Sequence, residues 1–134
     1  MKRLSHMIFP IAALILEILP YGAVCNFASA PNEIHRETFS YFDLVPFGYA
    51  NFAPFITAVL TCAILVILTI YCITGRHGIA AAARNLLIVC TAISLCPLLF
   101  GIDYFSVIGG FITAALTAET FWLCWELRKK AEQK

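Results

Sequence analysis

Glu17 and Glu119 each stand inside a long apolar stretch of this 134-residue chain. An ionisable group in such surroundings is costly, so each needs a partner or a task. The residue types at the depth of Glu17 are hydroxyls. Thr57 and Thr61 lie in the second stretch, Thr91 and Ser94 in the third, and Thr113 and Thr117 in the fourth. Tyr21 follows one helical turn beyond Glu17 on the same face. Hydroxyls can hold a neutral carboxyl as packing glue between helices. They can also line a polar cavity in which the carboxyl answers to protons or cations. Both readings are open for the set Glu17, Tyr21, Thr57, Thr61, Thr91, Ser94, Thr113 and Thr117. For Glu119 the spacing predicts a structural ion pair with Arg84, whose long side chain starts about one turn into the third stretch. Glu126 is the competing acidic partner. The helical rise puts Glu17 about 12 Å below one face of a bilayer and Glu119 about 12 Å above the other, so the two carboxyls do not share a proton.

The elements that must hold these groups are four apolar stretches, 4–27, 52–73, 79–100 and 106–127. Each exceeds the roughly 20 residues that a helix needs to cross a hydrocarbon core. Hydrophobic residues make up 61% of the chain and charged residues 13%. That charged fraction is about half that of a soluble domain. The expected fold is therefore an all-α four-helix antiparallel transmembrane bundle forming one domain over residues 1–134, with the bilayer as its first partner.

The net charge of +1 says little, but its distribution says more. Lys2, Arg3, Arg76, Arg84, Arg128, Lys129, Lys130 and Lys134 fall at the termini or around the turn between stretches two and three, whereas the segment between stretches one and two holds only Arg36. Positive residues near span ends stay on the cytoplasmic side. Both termini are expected inside, and residues 28–51 form a long outer loop. The basic tail suits an anionic inner leaflet rather than nucleic acid. The expected location is the cytoplasmic membrane of a bacterium.

Lys2, Arg3 and the following apolar run resemble a signal peptide, with Ala28-Ser29-Ala30 as a small-residue site. The run is longer than a typical signal core, Glu17 and Pro20 interrupt it, and Pro31 follows the site, so cleavage is not expected. Seven aromatics lie from Phe39 to Phe55, across the outer loop and the start of the second stretch. Three readings fit this density: an aromatic belt at the headgroups, a lid over the bundle, or a docking surface for another membrane protein. Pro46-Phe47-Gly48 marks a bend, and Pro54 suits the first turn of the second span.

The six cysteines form no C-x-x-C and no zinc-ligand spacing with histidine, so neither metal nor cofactor is expected. Four spans with inner termini resemble the quinone-linked thiol oxidases, yet their paired outer cysteines are missing and only Cys25 lies near that face. A lone glutamate in the first of four short helices resembles the small multidrug resistance exporters. The long outer loop departs from their pattern, so their activity is not carried over. No phosphate-binding glycine loop, H-E-x-x-H or G-x-S-x-G occurs, and enzyme function finds no support in the sequence. Ser106, Gly110, Ala114 and Ala118 form a small-residue stripe that lets another helix approach closely, from the same chain or from a homodimer partner. Two functions follow from these features. One is transport through a polar cavity around Glu17. The other is an accessory or regulatory role, without transport, that uses the aromatic loop and the fourth-span stripe on a larger membrane protein.

Overall fold

The computed structural model describes residues 3–132, with the Ser29 side chain excepted. Lys2 and Lys134, two of the positive residues behind the expected topology, lie outside the described residues. A 3-10 turn over Leu4–Met7 runs into α1 (Ile8–Ile18). Then come β1 (Ala23–Ala30), β2 (Glu33–Phe39), the short α2 (Leu44–Gly48), α3 (Ala53–Thr74) and α4 (His77–Ser94). Two further 3-10 turns, Cys96–Phe100 and Ile102–Tyr104, lead to α5 (Val107–Glu132). The chain is mostly helical. Three segments, Ala53–Thr74, His77–Phe100 and Val107–Glu132, are long and apolar enough to cross a membrane.

The first apolar stretch differs from the expectation of a full span over 4–27. Its helix stops at Ile18, and Leu19 is already extended at φ −66°, ψ 140°. Pro20 is the cause, because a proline pushes the residue before it out of the helical region. The 3-10 turn and α1 together measure about 24 Å, short of the roughly 30 Å of hydrocarbon. The rest of the stretch pairs as β1 with β2 in an antiparallel hairpin, in the register Ala23↔Phe39, Cys25↔Glu37 and Phe27↔His35. Part of the expected loop over 28–51 is therefore strand. Pro31-Asn32 makes the turn, and a bulge between Ala28 and Ala30 adjusts the register.

Helix α1 packs on α5 and α3, and α4 packs on both α3 and α5. The buried residues of the first segment are His6, Pro10, Ala13 and Glu17. These positions follow the helical repeat, so a single stripe faces the core. Helix α5 answers with Ile112, Leu116, Glu119, Leu123 and Leu127. Ile64, Leu68, Tyr71 and Leu87 fill the space between. Both stripes therefore carry an acidic residue into the interior.

The root of the hairpin is fixed to the helices. Ala23, Val24 and Cys25 are buried. The Asn51 side-chain amide donates to the Val24 carbonyl at 3.2 Å, and the Tyr41 N–H donates to the Glu17 carbonyl at 2.9 Å. At the opposite end, Gly75 closes α3 with φ +65°. The Arg3 guanidinium lies against it, so a Cβ there would fall 2.7 Å from Arg3 Cζ. Gly75→Ala therefore meets both left-handed strain, about 1–2 kcal/mol, and a side-chain clash. The expected outcome is a melting temperature lowered by several degrees in detergent, whereas Gly78→Ala, which meets nothing within 4 Å, leaves it within about a degree.

Candidate functional site

Two polar clusters lie among the helices, both built on the buried stripe of the first segment. In the first, Glu17 has 0% exposure. Its Oε1 accepts a hydrogen bond from the Thr61 hydroxyl at 2.7 Å. Thr61 Oγ1 also lies 3.0 Å from the Thr57 carbonyl, one turn back on α3. Cys90 of α4 closes the group, its Sγ 3.9 Å from Thr61 Oγ1 and 3.7 Å from the Thr57 carbonyl. Glu17 Oε2 and Thr57 Oγ1 are buried with no hydrogen-bond partner among the described residues. Tyr41, just after the hairpin, is buried beside this cluster. Burial first, and the Glu17 charge second, hold its phenol above the usual range.

The expected cavity set is only partly brought together. Thr57 and Thr61 join Glu17, as the sequence suggests. Tyr21 does not, because α1 ends before it and its side chain is 59% exposed. Thr91, Ser94, Thr113 and Thr117 form a separate ladder between α4 and α5. Thr113 donates to Ser94 Oγ at 3.0 Å, Ser94 to the Thr91 carbonyl at 2.7 Å, and Thr117 to the Thr113 carbonyl at 2.6 Å. Cys90 and Tyr41 are the members that sequence reasoning missed. Cys90 lies one turn before Ser94 on the buried face of α4, and that spacing was its signal.

The second cluster corrects the expected Arg84–Glu119 pair. Glu119 Oε1 lies 2.7 Å from His6 Nδ1, and both side chains are fully buried. Arg84 instead bonds the Asn85 side-chain oxygen, at 3.1 Å from Nε and 2.9 Å from Nη2. The reason is orientation. Helix α4 buries Ala80, Ala83, Leu87 and Cys90, and Arg84 lies beside that stripe rather than on it. Glu119 lies on the buried stripe of α5, against which α1 packs. The other ring nitrogen, His6 Nε2, lies 2.5 Å from Glu126 Oε2. Lys130 pairs with Glu126 and donates to Tyr71 Oη at 3.0 Å. Tyr71 Oη lies 3.4 Å from Glu126 Oε1, and the Trp122 ring stands 5.2 Å from the imidazole. Both imidazole nitrogens face carboxylates, so with both carboxylates ionised the ring donates twice and carries a positive charge. Imidazolium and Lys130 then balance Glu119 and Glu126. Charge-assisted bonds of this kind are the strong ones.

The small-residue stripe of α5 divides. Ser106 is buried, with its hydroxyl donating to the Gly22 carbonyl at 2.5 Å and accepting from the Gly109 N–H at 2.8 Å. Gly110, Ala114 and Ala118 line an open groove of about 520 Å³ with Leu95, Leu98, Phe105 and Phe121. Among the described residues, no three His, Cys, Asp or Glu side chains are placed to hold a metal ion together.

His6→Ala strands Glu119 in the core, and removing one partner of a buried pair costs about 3–5 kcal/mol. Arg84→Ala removes a contact to a neighbouring exposed residue, where changes stay within about 0.5 kcal/mol. Thermal unfolding of the two variants in detergent should separate them by many degrees, with His6→Ala the lower. Compared with known family models, curated proteins and solved structures, the chain matches none, so its function is argued from its own residues.

Proposed function

We propose that the chain is a small integral membrane protein that works by contact with other membrane proteins. In this reading its helices form an antiparallel four-helix bundle in the cytoplasmic membrane of a bacterium. The termini face the cytoplasm, the hairpin lies outside, and the groove on α5 receives a second copy of the chain. The observation that carries the reading is the contrast between two polar or small-residue features. Glu17 is sealed by the helices around it, whereas Gly110, Ala114 and Ala118 line a groove open to the surroundings. Small residues permit close backbone approach, the main source of helix association in lipid. The charge pattern supports the orientation. Arg3 lies against the α3–α4 turn and Lys130 beside Tyr71, so these basic residues share one end, while Arg36 lies on the hairpin. The hairpin offers a further surface. Residues Glu33 to Thr38 of β2 are exposed, including Ile34 at 77%. An open strand edge of this kind is a template for pairing.

Energy transfer between donor- and acceptor-labelled copies in liposomes tests the groove. Wild type should associate, and Ala114→Leu, which fills the groove without touching the buried face, should weaken association at least tenfold. Absence of transfer in wild type, or unchanged transfer in Ala114→Leu, removes the groove as the contact surface.

A second reading has its own observation. Two buried oxygens without partners, Glu17 Oε2 and Thr57 Oγ1, belong to one cluster, as a transport-type protein centred on Glu17 would require. Proteoliposomes carrying a pH-sensitive dye distinguish this reading. Wild-type flux that Glu17→Gln abolishes favours transport, since glutamine keeps the shape but does not titrate. Equal passive leak from both proteins rejects it.

A further inference from the structure

Glu17 is enclosed, and among the described residues no basic side chain pairs with it. Helix α3 carries no Lys, Arg or His from Ala53 to Thr74. On α4, Arg84 is engaged with Asn85. On the first segment, His6 is engaged with Glu119 and Glu126. On α5, the basic residues begin at Arg128, and Lys130 pairs with Glu126. Neither Tyr41 nor Cys90 beside Glu17 can supply a positive charge.

The oxygens around the carboxyl are closely connected. Thr61 Oγ1 links Glu17 Oε1 to the Thr57 carbonyl through contacts of 2.7 and 3.0 Å. Thr57 adds its own hydroxyl, which has no partner, and Glu17 adds Oε2, which has none either. The Glu17 carboxylate and two threonines one turn apart on α3 thus contribute five oxygens, two of them unmatched among the described residues. A proton on Oε2 removes the charge but leaves its O–H without an acceptor and Thr57 Oγ1 still unmatched. A cation held between α1 and α3 would neutralise the carboxylate and give these oxygens a partner.

We propose that Glu17, Thr57 and Thr61 form a binding site for a sodium ion. Hard cations take oxygen ligands, and calcium asks for six to eight of them, usually with more than one carboxylate. A single carboxylate with hydroxyls and one carbonyl matches a single positive charge. The ion cross-links α1 to α3, with Cys90 as the apolar cover on the α4 side. The site is independent of the groove on α5, and equilibrium binding separates it from any movement of the ion across the membrane.

The test uses the full chain purified in detergent. Binding of radioactive sodium is measured by equilibrium dialysis, alongside melting temperature in sodium chloride and in N-methylglucamine chloride at equal ionic strength. Wild type should show one saturable site and a melting temperature that rises by roughly 5 °C on saturation. Glu17→Gln and Thr57→Val, each first shown to be monodisperse, should bind at least tenfold more weakly, while Thr69→Val should bind as wild type does. If a variant does not fold, the wild-type isotherm alone decides. No saturable binding, or stability that follows pH and ignores sodium, overturns the proposal and leaves Glu17 as a neutral acid. Undiminished binding by Glu17→Gln overturns it as well.

Discussion

One stripe of the first helical segment, His6, Pro10, Ala13 and Glu17, governs the interior. An apolar segment could lie against its neighbours at several rotations with similar burial. A stripe bearing an imidazole and a carboxyl cannot, because each polar group must meet its partner or remain stranded in a medium that does not solvate it. His6 has to face Glu119 and Glu126, and Glu17 has to face Thr61. Two polar contacts, separated by about three turns, fix both the rotation and the axial position of α1. Tyr71 and Lys130 extend the constraint to α3 and to the end of α5. Polar groups thus select one arrangement among many that would bury comparable apolar surface, a role attested for buried polar residues elsewhere though not general.

The hairpin end of the molecule depends on the same segment. Because α1 stops at Pro20, the chain leaves the helix early and its next residues become the root of a hairpin. That root is fastened at several points. Tyr41 N–H reaches the last turn of α1, Asn51 reaches Val24, and Ser106 reaches the Gly22 carbonyl from the start of α5. Gly22 is required where it is, since a Cβ there would meet the Tyr41 ring at 2.8 Å. The hairpin is consequently a rigid extension of the helices, with aromatic contacts such as Phe27 on Tyr49 bracing its flank.

The three long helices were legible from length and hydropathy, because continuous apolar runs leave little alternative. The hairpin was not, because Ala23 to Phe27 is as apolar as a helix end and its alternation is brief. Leu19-Pro20 is the usable signal: Pro20 interrupts the apolar run, and in the structure it ends the helix. Glu17 with Thr57 and Thr61 was legible because depth along helices can be counted. Thr91, Ser94, Thr113 and Thr117 fall on another face, because depth alone does not give rotation, and Tyr21 falls outside because the helix stops before it. The partner of Glu119 was missed because Arg84 was matched by charge and depth. His6 shares a helical stripe with Glu17, and that spacing carried the information.

The helical segments differ greatly in length. The 3-10 turn and α1 reach about 24 Å, whereas the 22 residues of α3 reach about 33 Å and the 26 of α5 about 39 Å. In the proposed four-helix membrane arrangement, lipid beside the first segment would meet a shorter apolar wall than lipid beside α3. In that arrangement hydrocarbon chains there would compress, at a cost that grows with each ångström of hydrophobic mismatch. The perimeter of the protein is then unequal in elastic energy. It would settle most readily where the bilayer is thin, or with its short flank turned toward a neighbour that relieves the compressed lipid.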